Sequence, residues 1–399
     1  MNDVFKAVQI TDRVWWVGAV DWNIRDFHGY TTKRGSTYNA YLIMADKITL
    51  IDTVRAPFRG EMMSRIASVV DPKRVEYIVS QHSEMDHSGC LFETAREIGP
   101  KAVYVSAMGA KTLNEIYHTL ENVVAVKDGE KLSLGNCELA FYETRMLHWP
   151  DSMISWLGEE NLLFSQDAFG MHLASSGRFD DEIDTAVLDE ESATYFANIL
   201  LPYAALIGKT LDKVGAMGWD VKYVAPDHGP IWRKGIGRIL EQYRRWGEQR
   251  KTRKAVVVYA TMWHSTERMA LAVAEGLASR GVDVRLLSMA ENHRSDVARE
   301  ILEAGALVAG SPTLNNNLFP SMADVLTYLK GLRPRNLVGA AFGSFGWSGE
   351  SVRQVEEILK EMKVELVSEG IAVKHVPGVE VLQACYEMGQ KVAGKLDKG

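Results

Sequence analysis

His82-Ser83-Glu84-Met85-Asp86-His87 packs four potential metal ligands into six residues, directly after an apolar run from Val75 to Val79. If that run is a buried strand, the polar cluster leaves its end as a loop, with positions 82, 84 and 86 pointing roughly one way and His87 another. Such a fan of donors suits two adjacent metal ions. Imidazole serves zinc, copper and iron alike, whereas added carboxylates favour harder ions such as iron or manganese.

Three further candidate ligands stand where apolar runs end. His148 follows a strand over Glu138 to Tyr142, Asp167 closes the run from Asn161 to Gln166, and His228 follows Tyr223 to Asp227. A single loop histidine is ordinarily structural or solvated; the order His-x-Glu-x-Asp-His, His, Asp, His is far more specific. The first segment resembles the His-x-His-x-Asp-His signature of the metallo-β-lactamase superfamily, with Glu84 in place of the second histidine. That replacement points from a zinc hydrolase toward an iron site.

The neighbouring sequence predicts strands over Val14 to Val20, Tyr38 to Met44 and Ile48 to Asp52, and a helix from about Glu61 to Val70. The ligand-bearing strand follows, then a helix from Cys90 to Ile98 and a strand from Ala102 to Ser106. Strands mixed with helices in this way give two sheets covered by helices, an αββα sandwich. Trp149-Pro150-Asp151 and Asp21-Trp22-Asn23 are expected on loops, at a pocket mouth, at an interface or in ordinary loop packing.

Residues 235–249 form a charged amphipathic helix, and Lys251-Thr252-Arg253-Lys254 is a short basic hinge. The joint is therefore expected near 250, separating a domain over 1–250 from one over 251–399. Beyond it, strands over Ala255 to Ala260, Val282 to Leu287, Ala306 to Gly310, Leu337 to Phe342 and Ile371 to Val376 alternate with helices beginning near Thr266, Ser295, Ser321, Glu350 and Val379. Five βα units with Val- and Ala-rich strands predict a doubly wound parallel sheet, whose ligand lies beyond the carboxyl ends of the strands.

Three loops there are unusual. Thr261-Met262-Trp263-His264-Ser265-Thr266 runs into a helix and offers hydroxyls and backbone N–H groups to a phosphate. Ser311-Pro312-Thr313-Leu314-Asn315-Asn316-Asn317 offers amides to a flat heterocycle, and Gly343-Ser344-Phe345-Gly346-Trp347-Ser348-Gly349 an aromatic face between glycines. No Gly-x-Gly-x-x-Gly turn supports a dinucleotide. A terminal phosphate, a polar-edged ring and an aromatic shield fit FMN, and the domain resembles flavodoxin, with His264 where a flavodoxin phosphate loop usually has glycine.

Composition excludes other classes. At 399 residues, 46% hydrophobic and 24% charged, the chain can bury two full cores. A formal charge of −7 argues against a general nucleic-acid or anionic-membrane surface. No apolar run approaches a membrane span and the start lacks a signal-peptide pattern, so a cytoplasmic protein is expected. Cys90, Cys137 and Cys385 are too widely spaced for a disulfide framework or a cysteine-ligated iron centre and are expected to be buried thiols.

Across both halves the chain resembles the flavodiiron proteins. That resemblance implies one iron on His82, Glu84 and His148, another on Asp86, His87 and His228, and Asp167 bridging them. It also places His172 and Tyr195 near the diiron pocket, and Asp52, as carboxylates beside metal sites commonly do, is expected to orient a loop or ligand. It implies FMN, a head-to-tail homodimer or homotetramer, and O2 reduced to water or NO to N2O. Electrons come from an external donor, rubredoxin or a reduced deazaflavin. The rival readings are a zinc hydrolase with a flavodoxin-like appendage and a plain electron-transfer protein.

Overall fold

The computed structural model describes residues 4–396, in which the chain forms two compact units. One comprises Met1–Tyr195 and Ala205–Arg244, the other Phe196–Ala204 and Arg245–Gly399.

The first unit is built on two sheets. One has seven strands in the order Val8–Gln9, Val14–Trp16, Tyr41–Ile43, Thr49–Ile51, Tyr77–Val79, Ala102–Ser106 and Val123–Val126; the other has five, Lys131–Ser133, Glu138–Glu143, Met153–Leu157, Leu162–Gln166 and Tyr223–Pro226. Strand alternation builds both faces of the first sheet. Leu42, Leu50 and Ile78 join Met62, Met63, Ile66, Leu91 and Leu113 beneath the helices. Tyr41, Ile43, Ile51 and Val79 turn the other way and meet Leu139, Phe141, Leu157, Leu162 and Phe164 of the second sheet. The αββα class follows from this two-sided burial.

Two local expectations are corrected. The run from Val14 to Val20 is not one strand: it leaves the large sheet after Trp16, and Ala19–Asp21 pairs with Ser36–Tyr38 in a separate ribbon. Gly18 marks the break, because a Cβ there would strike the Tyr38 carbonyl oxygen. The ligand segment is not loop throughout either, since Met85–Ser88 winds into a short helix carrying Asp86 and His87.

In the second unit the parallel order is Asp283–Ser288, Lys254–Tyr259, Ala306–Gly310 and Val338–Phe345, followed by a fifth position shared by Glu365–Leu366 and Ile371–Lys374. Numbered along the chain this is 2-1-3-4-5, the flavodoxin-like doubly wound order. Sequence patterning located the second piece of the interrupted fifth strand and missed the first. Phe196–Leu200 is a π-helical turn, and within this unit Asn198 accepts from the Tyr328 hydroxyl at 2.8 Å and donates to the Ser295 carbonyl at 3.3 Å.

Helices Ser265–Ala278 and Val379–Leu396 cover one sheet face and approach closely through glycines. A Cβ on Gly276 would collide with the Tyr386 carbonyl oxygen, and one on Gly389 with that of Val273. Cys385 and Met388 fill the core beneath, and all three cysteines are buried and free. Gly276→Ala is expected to destabilise this unit by about 1–3 kcal/mol through overpacking, measured as an earlier loss of its denaturation transition; an unchanged transition contradicts the close packing.

Candidate metal centre and flavin cleft

All seven candidate ligands lie where strands of the two facing sheets end, and they converge. His82 and Glu84 follow Tyr77–Val79, His148 follows Glu138–Glu143, Asp167 follows Leu162–Gln166 and His228 follows Tyr223–Pro226. Potential donor atoms of His82, Glu84, His148 and Asp167 all lie within 4.8 Å of one another, as do those of Asp86, His87 and His228.

Asp167 joins the two groups. Its Oδ2 is 3.2 Å from His82 Nε2 and 2.8 Å from His148 Nε2; its Oδ1 is 3.5 Å from His87 Nε2 and 3.6 Å from His228 Nε2. One carboxylate thus offers one oxygen to each group. Glu84 Oε2 stands 2.9 Å from His148 Nε2 in the first, and Asp86 Oδ2 is 3.1 Å from His228 Nε2 and 3.3 Å from His87 Nε2 in the second.

The donors aim at common points rather than at one another. Both oxygens of Asp86, Oδ1 of Asp167 and Nε2 of His82 have no hydrogen-bond partner among the described residues despite being buried. A buried acceptor left unsatisfied costs about 1–3 kcal/mol, a cost the imidazoles offset only in part and a cation between these groups would relieve. His87 Nε2 and His228 Nε2 face each other at 3.1 Å, with only one able to donate if neither is protonated twice. A donor set of imidazoles and carboxylates converging in this way fits a pair of iron ions.

The surrounding hydrogen bonds aim the imidazoles. His228 Nδ1 donates to the Thr37 carbonyl at 2.6 Å, leaving Nε2 as a free lone pair. Asp227, fully buried, lies with Oδ2 3.6 Å from His82 Nδ1 and 3.9 Å from His87 Nδ1, and so faces one histidine of each group. Burial and neighbouring Asp52 push the Asp227 carboxyl well above its ordinary range, against the pull of His87 and His82. Asp52 accepts from Gln81 N at 2.7 Å and Gln81 Nε2 at 3.0 Å, holding the residue that precedes His82. Asp151 accepts from Ser83 Oγ, and Thr53 Oγ1 donates to the His87 carbonyl. Asn39 fastens the His228 loop, donating from Nδ2 to the carbonyls of Pro226 and Gly229 at 2.7 and 3.0 Å.

Burial disfavours the charged forms of Asp167 and His148, but their opposing partners prevail. Asp167 lies well below the usual carboxylate range beside His82 and His148, and His148 is raised to about 10 by Asp167 and Glu84. His172 differs: burial and the charge of His228 hold it well below the ordinary imidazole value. Its Nδ1 is 2.7 Å from Ser36 Oγ, and its ring lies 4.4 Å from His228 and 5.2 Å from Tyr195, centroid to centroid. Tyr195 is also fully buried.

Patterning missed His28, Asn39 and Asp227. His28 Nε2 meets Glu84 Oε1 at 2.7 Å across 56 residues of sequence, a pairing with no local signal. Asp227 did have one, as a carboxylate directly before a ligand at a strand end. Of the two aromatic loops, Asp151 turns inward to pin Ser83, Asp21 Oδ1 accepts from the backbone N–H groups of Asn23 and Ile24, and Trp22 is exposed.

The three loops of the second unit meet around a cleft of 460 Å³. Met262, Trp263, Ser265, Pro312, Thr313 and Leu314 line one part, and Asn315, Asn316, Ser344, Phe345, Gly346, Trp347 and Ser348 another; His375 and Val376, which the sequence did not suggest, complete it. Thr261, His264, Thr266, Ser311, Gly343 and Gly349, expected at the cofactor from the sequence, are not among the residues that line it. Thr266 Oγ1 pairs with Ser344 Oγ at 2.9 Å, and a Cβ on Gly343 would strike the Ser311 carbonyl oxygen. The second loop is a tight hairpin, with Thr313–Leu314 antiparallel to Asn317–Leu318 and both Asn315 and Asn316 left-handed. His264 has φ 62°, the left-handed conformation for which glycine is the usual choice, so the backbone course survives the unusual side chain. Thr261 Oγ1 is buried without a partner among the described residues, beside the N-terminus of helix Ser265–Ala278, and fits a phosphate acceptor.

Comparison with known proteins accords with both halves. Residues 37–229 match the family described as ODP family beta lactamase, and residues 257–389 match Flavodoxin. The chain is 47% identical to nitric oxide reductase of Moorella thermoacetica, over 98% of this chain and 99% of that one. The chain belongs to the flavodiiron protein family. The solved rubredoxin oxygen:oxidoreductase from Desulfovibrio gigas superposes with a TM-score of 0.96 at 43% identity, covering 98% of this chain and 99% of the other. A flavodiiron protein from Giardia intestinalis gives 0.95 at 34% identity, covering 98% and 97%. The cofactors of this flavodiiron chain are accordingly a non-haem diiron pair and FMN, and the zinc-hydrolase reading is not favoured. Among the described residues no helix is long and apolar enough to cross a membrane.

Asp227→Asn replaces a carboxyl that lies between the Nδ1 atoms of His82 and His87, at 3.6 and 3.9 Å, with an amide that cannot carry charge. Iron retention is expected to weaken about 10–100-fold while FMN remains bound, measured by metal and flavin content after anaerobic dialysis; full iron retention removes Asp227 from this role.

Proposed function

We propose that this flavodiiron oxidoreductase reduces O2 to water, NO to N2O, or both, at irons held by His82, Glu84 and His148 on one side and Asp86, His87 and His228 on the other. Asp167 spans the pair. The observation that carries this reading is the division of Asp167, one oxygen toward each histidine group.

When bound, the diiron pair can supply two electrons and reduced FMN two more, matching the four that O2 requires and exceeding the two that convert two NO molecules to N2O. The chain's residues bind and orient. Asp167 would hold both metals and screen their repulsion; the Thr37 carbonyl sets the His228 tautomer; Asp227 places a carboxyl near His82 and His87; His28 steadies Glu84. Buried His172, neutral at pH 7, and Tyr195 border the His228 side of the centre, where they are suited to hydrogen-bond substrate oxygen. In the second unit, the 261–266 loop receives the FMN phosphate, the 311–317 and 343–349 loops hold the ring edge, and Trp347 shields its face.

The electron donor proposed is rubredoxin, the partner in the name of the Desulfovibrio gigas relative. A homodimer or homotetramer is proposed on family grounds, and a cytoplasmic location is proposed with it.

The testing experiment compares O2 and NO consumption by anaerobically purified protein with chemically reduced rubredoxin as donor. Consumption of at least one gas is expected. Faster O2 turnover makes the protein an oxygen scavenger, faster NO turnover an NO reductase, and consumption of neither overturns the reading. Asp167→Ala is expected to lose iron and most activity while retaining FMN; normal activity with full iron contradicts the bridge. Trp347→Ala is expected to shift flavin affinity or potential with iron content unchanged, and unaltered flavin properties remove Trp347 from the cleft.

A further inference from the structure

On the outer face of the second sheet of the first unit lies a cavity of 720 Å³ that the ligand set does not use. Its sheet wall is formed by Ile154, Leu163 and Val224, the outward members of strands whose other side chains fill the inter-sheet core. Opposite stand Ile207, Leu211 and Val214 of helix Ala204–Gly215 and Leu240 and Tyr243 of helix Ile236–Glu248. Asp220, Glu241 and Arg244 are exposed and charge only the rim. The interior lining is therefore predominantly aliphatic and aromatic.

Two features connect this space with the metal centre. Leu147 in its wall is bonded directly to His148, and Ala168, followed by Phe169, is bonded directly to Asp167. Phe169 N donates to the Tyr243 hydroxyl at 2.8 Å, tying the Asp167 turn to the helix across the cavity. The second feature is Thr144: its side chain is buried on the wall, and Oγ1 has no partner among the described residues. Apart from the hydroxyls of Thr144, Ser165 and Thr210 the inner lining is apolar and holds no buried charge, so it disfavours ions and accepts small uncharged molecules; apolar cavities take up apolar gases.

We propose that this cavity is a binding site for small uncharged gases, a reservoir in which O2 or NO collects beside the loops carrying His148 and Asp167. The role as reservoir rests on the diiron reading above, whereas gas occupancy stands on the cavity alone. O2 and NO dissolve better in apolar media than in water, so the lining raises their local concentration next to the centre. Side-chain motion of Leu147 and Phe169 gives the shortest route from the cavity to those ligands along the chain.

The test is made on the holoenzyme in two parts. Crystals pressurised with xenon are expected to show xenon between Leu163, Phe169 and Leu211; ordered water filling the cavity, or xenon bound elsewhere with none here, overturns the proposal. Leu211→Phe, with Val214→Phe as a second variant should the first not fold, is expected to raise KM for O2 or NO several-fold with kcat at saturating gas, iron and FMN contents unchanged. An unchanged KM with the cavity filled in the variant overturns the reservoir. Wild-type protein that consumes neither gas overturns the diiron reading and the reservoir role with it, while xenon occupancy still decides whether the cavity binds gas.

Discussion

The first unit depends on one electrostatic constraint: several carboxylates and imidazoles are buried together in positions where they satisfy one another only in part. Glu84, Asp86 and Asp167 are withdrawn from water, yet oxygens of Asp86 and Asp167 find no hydrogen-bond partner among the described residues. Deep burial of several anions with incomplete hydrogen bonding is costly without further positive charge. Two metal cations resolve this, and the same lone pairs that are costly without metal become ligands with it. Strong metal retention and a site fixed before substrate arrives are two expressions of that one arrangement.

The fold meets the constraint by bringing together ends of strands from two facing sheets. Each ligand sits at a change of direction after a buried apolar strand, so packing of Val79, Phe164 and Ala225 between the sheets sets the position of the polar residues beyond them. Asn39, donating to the carbonyls on either side of Asp227 and His228, couples the first sheet to the second at the site itself. Asp52 ties Gln81 to the neighbouring strand end within the first sheet. At His228 the hydrogen bond from Nδ1 to the Thr37 carbonyl then leaves Nε2 directed inward, which turns approximate convergence into ligand geometry.

Much of this was legible because its signals are local. The His82 cluster, the carboxylate in place of a second histidine and the recurrence of His148, Asp167 and His228 after apolar runs can be read within short windows, as can the alternating βα pattern of the second unit. The parts that were hidden depend on contacts distant in sequence. His28 reaches Glu84 only because the short hairpin from Asp26 to Thr31 returns to the site, and nothing near Asn39 signals its acceptors at Pro226 and Gly229. Steric breaks were hidden as well: Gly18 divides what hydrophobicity alone presents as one strand. At His264 the side chain disguised a left-handed backbone position that glycine would have announced. The cavity behind Leu147 has no sequence signature, since its aliphatic lining is indistinguishable from core until the gap between sheet and helices is seen.

The central claim, that this buried set holds two irons with Asp167 between them, is tested most directly by anomalous diffraction from crystals of anaerobically purified protein, recorded on both sides of the iron absorption edge. Two iron peaks are predicted, one beside each oxygen of Asp167, with His82, Glu84 and His148 around the first and Asp86, His87 and His228 around the second. A single peak, a signal that persists below the iron edge and rises at that of zinc, or irons bound away from Asp167 would contradict the account.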